Sequence, residues 1–523
     1  LESGEGMRNV GVGEVTLTPA ELLTRDMVLN ALDSELFSES AIRSKATSFD
    51  TYYSTFPKKF GKKQCENVMQ AALDETPGNG ESYSRVVDAF VKAEVSTKAK
   101  PRAINNHKEI RLAALAKVAW VFEEVMFDAL SNMTIKHKPK SEALNHIFAN
   151  LNDFEKGGRF VENDLTAFEY GISEFLKRAE QRILKKIARV LGMEELQGLF
   201  DRVVNDRDKS VTWRMRFVDE TGEKRTLKIK LPRTIRESGD RLTSSGNFFQ
   251  NLLCWLTFLC APNQGEITRT VKQMIKTNGK GIFYISARDG KKYLARLAFE
   301  GDDTAGRLEE AKTDAFGTLC EEFMRRYGWN PKLLFKPTEG EFYLRFVGFD
   351  ALGRDNKIVF EKSAEHPKTG ECVMCPEIFR LLNTKQWSTT KVTDAEFKLC
   401  NRIFAKTMAY NFKHLEPMWY FCRNMFRANE EGAATTVRND AVREYYFSAF
   451  GDTPCLDAVQ RLSMGAFPAL ERGNGNWQAL AIASAGPCTD LEWASMCTDM
   501  DFKVHGADLR SHMPRGWRKE AAP

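Results

Sequence analysis

Apolar residues recur every three to four positions along some stretches of the chain and every second position along others. The two periods predict different elements. Helical spacing runs over Gln64–Leu73, Tyr83–Phe90 and Ile110–Leu130. It returns downstream in Ile172, Phe175, Leu176, Ala179, Ile183, Ile187 and Val190. Alternation marks Val211–Val218 and Arg225–Leu231 around Asp219-Glu-Thr-Gly222, and Gly281–Ala287 and Tyr293–Phe299 around Arg288-Asp-Gly290. Each pair reads as a hairpin. Phe160 and Val161 form a short strand running into Asn163-Asp164. A helix over Arg307–Tyr327 is followed by strands at Leu333–Phe335, Glu341–Phe349 and Lys357–Glu361. From about residue 375 the pattern is mostly helical, with Trp387, Trp419, Trp477 and Trp493 as core anchors. The longest apolar run, Leu252–Ala261, is about half a membrane span and reads as a buried helix.

Composition narrows this picture in a few places. A chain of 523 residues with 42% hydrophobic and 28% charged residues is an ordinary globular mixture, long enough for two to four subdomains. Its net charge of +5 excludes a general polycation. The cations cluster in Lys92–Arg102, Lys136–Lys140, Arg178–Arg189 and Lys224–Arg241, which suits a nucleic-acid channel, or simply solvated helix faces. Eleven scattered cysteines read as reduced thiols. Cys372 and Cys375, with His366 nearby, lack a second pair at zinc-finger distance and read as isolated thiols. The chain starts at Leu1 without a signal peptide, as a product cut from a longer polyprotein would.

Four segments carry candidate chemistry. Gly301-Asp302-Asp303 ends an apolar strand and precedes the small residues Thr304-Ala305-Gly306. A glycine at a tight turn lets two carboxylates project together at a hairpin tip, and carboxylates are the ligands hard cations prefer. Upstream, Glu162-Asn-Asp164-Leu-Thr-Ala-Phe-Glu169 again follows a strand. There Asp164 can share metals with the hairpin carboxylates, or else Asp164 or Thr166 caps the next helix. Ser238-Gly239-Asp-Arg-Leu-Thr243-Ser-Ser-Gly-Asn247 opens a long apolar helix. Thr243 and Asn247 fall one turn apart on one face, able to bond a ribose hydroxyl, the group that separates RNA from DNA. Finally Lys92, Glu94, Lys98, Lys100, Pro101 and Arg102 place spaced cations ahead of a rigid proline, where they can meet triphosphate oxygens.

In this order the segments resemble the motifs of RNA-dependent RNA polymerases of positive-strand RNA viruses. The basic segment through Ile104 resembles the triphosphate-channel motif of the fingers. Asp164 to Glu169, Ser238 to Asn247, and Gly301-Asp302-Asp303 resemble three successive palm motifs. Tyr327-Gly328 with Lys336 resembles the next, whose lysine protonates the leaving pyrophosphate; Lys332 competes for that role. Glu341–Phe349 resembles the strand pair that grips the primer end. The resemblance covers about 90–350. Ser-Gly-Asp-x-x-Thr and Lys-x-Lys-Pro-Arg-x-Ile look most like the tombusvirus branch, whereas Glu162-Asn-Asp164 looks more like the alphavirus and hepatitis E side. One position departs from the pattern. Glu169 stands where these enzymes usually have a second Asp, which senses the ribose hydroxyl together with the asparagine matched by Asn247.

The resemblance implies an α+β right hand with an antiparallel palm sheet and a mostly helical thumb. Fingers would comprise 1–158 and 170–236, palm 159–169 and 237–350, and thumb 351–523. It implies Mg2+, replaceable by Mn2+, held by Asp164, Asp302 and Asp303. Lys336 would be the general acid, and Lys92, Lys98, Lys100, Arg102, Glu169, Ser238, Gly239, Thr243 and Asn247 would bind substrate. Partners would be an RNA template–product duplex, ribonucleoside triphosphates, and other viral replication proteins or a membrane-anchoring partner. The setting would be membrane-associated replication sites in the host cytoplasm. Two other readings stay open: a reverse transcriptase, though Glu300-Gly-Asp-Asp303 replaces its usual Tyr/Phe-x-Asp-Asp, and a catalytically silent RNA-binding scaffold.

Overall fold

The computed structural model describes residues 15–46, 86–91, 103–106, 109–138, 140–153, 157–166, 168, 171–193, 211–231, 242–286, 288–311, 314–347, 349–358, 375–376, 393–411, 416–434 and 466–470. They fall into two compact units, one holding the described residues up to Thr338 and the other those from Glu339 onward. In chain order the first unit contains α1 (Pro19–Ala31), α2 (Glu39–Ala46), β1 (Val86–Val91), β2 (Ala103–Asn106), α3 (Glu109–Ala129) and α4 (Lys140–Asn152). Next come β3 (Arg159–Leu165), α5 (Glu174–Val190), β4 (Val211–Val218), β5 (Lys224–Leu231), α6 (Thr243–Cys260) and α7 (Ile267–Lys276). It ends with β6 (Ile282–Ile285), β7 (Lys292–Glu300), β8 (Asp303–Leu308), α8 (Asp314–Arg326) and β9 (Pro331–Phe335). The second unit holds β10 (Glu341–Phe346), β11 (Phe349–Arg354), β12 (Lys357–Ile358), β13 (Cys375–Pro376), α9 (Asp394–Asn411) and α10 (Glu416–Ala428). No helix among the described residues is long and apolar enough to cross a membrane.

The core of the first unit is built on α6, nearly all of whose residues are buried. Phe248, Phe249, Leu252, Leu253, Trp255, Leu256 and Leu259 are each at most 1% exposed. Phe249 meets Phe122 of α3 edge-on at 5.7 Å, and Phe122 stacks on Phe37 at 5.1 Å. Phe248 meets Phe299 of β7 at 5.4 Å, so α6 joins the N-terminal helices to the central sheet. Aromatic pairs of this geometry add about 0.5–1.5 kcal/mol beyond the area they bury.

That sheet has five strands in the order β6-β7-β8-β3-β9, every neighbour antiparallel. A second sheet, β2-β1-β4-β5, is antiparallel except for the parallel pair β1 and β4. The fold is thus mixed α and β with an antiparallel central sheet. In the second unit β10 and β11 form a hairpin, and α9 packs on α10. Trp419 is buried there, as its anchoring role requires; Trp387, Trp477 and Trp493 lie outside the described residues.

Four sequence expectations need correction. Of the helix expected over Tyr83–Phe90, the described residues, from Val86 on, belong instead to the strand β1, which sits in a ladder between β2 and β4. The helix expected from Arg307 begins at Asp314, because the chain stays extended through Leu308 as β8. The small residues after Asp303 are what permit this. A Cβ on Gly306 would come within 2.6 Å of the Leu297 side chain and 2.9 Å of the Arg296 carbonyl, so β8 fits between its neighbours only without one. The strand expected over Glu341–Phe349 is two, turning at Val347, which has φ +55°. Neither Asp164 nor Thr166 caps the following helix: Asp164 lies within β3, and Ser173 caps α5 by accepting the Leu176 amide at 3.3 Å. The expected helix over Gln64–Leu73 lies outside the described residues.

Candidate active site

β3 runs between β8 and β9, and its register fixes which side chains meet. Toward β8 the last ladder pair is Asn163 with Thr304; one residue on, the same register sets Asp164 beside Asp303. Toward β9, Asp164 pairs directly with Lys332. The β7–β8 hairpin closes with Glu300 opposite Asp303, leaving Gly301 and Asp302 as its two-residue turn. Gly301 supplies the positive φ, 63°, that the first position of such a turn demands. Asp302 and Asp303 are half-buried. Beside the turn, the Phe299 amide donates to the Met133 carbonyl at 2.8 Å, and Lys136 pairs with Glu300.

Period-two alternation divides β3 between two faces. Asn163 is 3% exposed, with its amide against the Met324 sulfur at 3.6 Å. On the opposite face Asp164 holds Lys332 of β9 and Glu162 holds Lys336, the residue just past the end of β9. Lys332 Nζ lies 2.8 Å from Asp164 Oδ2, with both side chains 60% exposed. Lys336 Nζ lies 2.8 Å from Glu162 Oε2, with the side chains only 11% and 14% exposed. Farther down this face Arg307 lies over the Phe160 ring at 4.8 Å. Burial, and then the charge of Arg296, lower its guanidinium to about 10, which leaves it a cation at neutral pH.

Helix α6 delivers polar groups to the turn from the other side. Thr243 is its first residue, and the N-cap, Leu242, makes no side-chain bond to the helix amides. One turn on, Asn247 is 7% exposed, and its buried Oδ1 has no hydrogen-bond partner among the described residues. A Cβ on Gly301 would lie 3.9 Å from Asn247 Cβ, so this side chain stands against the turn. Asn251, another turn along, is fully buried and donates to the carbonyls of Gly301 at 3.4 Å and Asp302 at 3.2 Å and to Thr304 Oγ1 at 3.0 Å. The sequence reading missed Asn251. Its signal was a second amide four residues after Asn247 in a helix otherwise crowded with apolar residues.

The structure therefore brings Asp164, Asp303, Asp302, Lys332, Thr243 and Asn247 to one end of the central sheet, with Lys336 one step farther down the same face. Lys92, Lys98, Lys100, Arg102, Glu169, Ser238 and Gly239 lie outside the described residues, as do Cys372 and His366. Among the described residues no three His, Cys, Asp or Glu side chains converge closely enough to enclose a metal ion.

No protein-family model and no curated protein matches the chain. Two solved structures similar to it are the RNA-dependent RNA polymerase of a human picobirnavirus and the same enzyme with its insertion loop deleted. Both give a TM-score of 0.44 at 11% identity over 72% of this chain. The chain covers 61% of the intact neighbour and 64% of the deletion mutant, less than two thirds of either.

Proposed function

We propose that the chain is an RNA-dependent RNA polymerase, joining ribonucleoside triphosphates to the 3′-hydroxyl of a growing RNA in viral genome replication. One observation carries the reading. The strand bearing Asp164 and the hairpin turning at Gly301-Asp302-Asp303 meet at one sheet end, beside the helix that carries Thr243 and Asn247.

Asp164, Asp302 and Asp303 would hold Mg2+, or Mn2+ in its place. When bound, the metal supplies charge that promotes 3′-hydroxyl attack and neutralises the departing pyrophosphate. The rest belongs to the chain. Lys332, exposed and on the same edge as Asp164, is better placed than Lys336 to meet a leaving phosphate and give it a proton, since Lys336 is held in a buried pair with Glu162. The Asn247 oxygen, which has no partner among the described residues, can accept a bond from a ribose hydroxyl, with Thr243 one turn away and Glu169 as its partner in recognition. Lys92, Lys98, Lys100 and Arg102 would steer triphosphates, and Ser238 and Gly239 would let the template backbone approach. A template–product duplex, held through its backbone, is the macromolecular ligand. Recruitment to replication membranes in the host cytoplasm would fall to viral or anchoring partners. The branch, tombusvirus-like or alphavirus- and hepatitis E-like, rests on motif residues alone.

The test is template-directed RNA synthesis by the purified chain with four ribonucleotides and Mg2+ or Mn2+, beside Asp302→Ala. Template-length product from the parent alone supports the proposal. RNA binding without synthesis, on primed as well as unprimed templates, would favour the scaffold reading.

A further inference from the structure

We infer that Asn251 is a positioning residue for Asp302, an assignment that rests on the polymerase reading. Its side-chain nitrogen faces three oxygens: Gly301 O at 3.4 Å, Asp302 O at 3.2 Å and Thr304 Oγ1 at 3.0 Å. Two of these are carbonyls, which only accept, so the NH2 end of the amide must point at the turn. Those two carbonyls belong to the peptide planes immediately before and after the Asp302 α-carbon. Fixing both planes fixes the direction in which the Asp302 carboxylate leaves the backbone. The third oxygen is on Thr304, the ladder partner of Asn163 and so one residue from the level of Asp164. A single fully buried side chain thus ties the turn residue to the strand beside Asp164.

Asn251 shares a helix face with Asn247, one turn away, and α6 is among the most completely buried elements of the chain. The helix that presents Asn247 to a bound ribose is therefore the helix that sets Asp302. Substituting an apolar residue leaves two carbonyls without this donor in a dry site and frees the turn to reorient, while the strands that carry it stay paired. A displacement of about 1 Å in a reacting constellation lowers rates by roughly 100-fold.

The experiment uses the full chain with Asn251→Leu, which keeps the forked shape but is larger and cannot donate, and Asn251→Ala, which cannot clash. Each is followed by thermal melting, Mn2+ binding by electron paramagnetic resonance, RNA affinity and single-nucleotide addition. The expected result is a maximal addition rate lowered roughly 10- to 100-fold, with weaker Mn2+ binding and unchanged RNA affinity and apparent nucleotide affinity. Parental rate and parental Mn2+ binding would overturn the assignment. So would losses that only follow the folded fraction, or failure of both variants to fold. A parent that neither makes RNA nor binds Mn2+ would instead remove the polymerase reading itself.

Discussion

Two lysines four residues apart, Lys332 in β9 and Lys336 just past its end, hold two acids of β3 at the same distance of 2.8 Å, yet replacing them should have opposite consequences. Burial makes the difference. At Glu162–Lys336 both side chains are largely removed from water, 14% and 11% exposed. Taking the ammonium away in Lys336→Met leaves a carboxylate in a low-dielectric site, and breaking a buried pair in this way costs about 3–5 kcal/mol. At Asp164–Lys332 both side chains are 60% exposed, and a pair so solvated is worth about 0–1 kcal/mol. Lys332→Met should therefore leave the fold nearly untouched and slow nucleotide addition severalfold or more, with RNA affinity unchanged. Lys336→Met should chiefly lower the denaturation midpoint, and removing both partners as Glu162→Met/Lys336→Met should recover much of the loss, because neither charge of the pair is left behind without the other. Urea denaturation measures the first quantity, and single-turnover addition of one nucleotide at saturating metal measures the second. Equal stability losses in the two single variants would refute the burial argument. A parental single-turnover rate in Lys332→Met would refute its role as proton donor.

The turn and the N-terminal helices give two further expectations. Gly301→Ala puts an L-residue at φ +63° with its nearest neighbour 3.9 Å away, so backbone strain rather than a clash should cost about 1–2 kcal/mol, read as a lower midpoint in the same denaturation assay. Glu21 is partly buried, which raises its pKa, but hydrogen bonds from Arg326 and the Thr18 amide, with the Arg326 charge, outweigh this and hold it below the ordinary 4.5. A lowered folded pKa contributes stability above the unfolded value that disappears as pH falls through the folded one. Parent and Glu21→Gln should differ in stability near pH 7 and converge in acid below pH 4.5; a gap that does not change between the two would contradict the linkage.

How far the sequence revealed this site depended on how local each feature was. The turn at Gly301-Asp302-Asp303 was legible because a strand, a glycine and two acids adjoin in the chain. The buried character of α6 was legible too, since its apolar run faces every direction. β8 was not, because Thr304-Ala305-Gly306 has the composition of a loop; only the crowding between β3 and β7 gives small residues a reason to be there. β1 was misread because a short run satisfies both periods, and its partners in β2 and β4 settle the matter. The lysine question turned on register: Asp164 and Lys332 are 168 positions apart, and no local pattern says which of Lys332 and Lys336 faces which acid of β3. Asn251 escaped notice because its importance lies in backbone carbonyls, which a sequence does not distinguish.

The most direct test is whether Asp164 and Asp302 act as one site. Template-directed addition of a single ribonucleotide should be compared in the parent, Asp164→Ala, Asp302→Ala and the double variant, with RNA affinity measured in each. Residues acting as a unit give losses that do not add. Each single variant should therefore lose nearly all activity and the double variant little more, with RNA still bound. Activity surviving in either single variant at the parental rate would contradict the site described here.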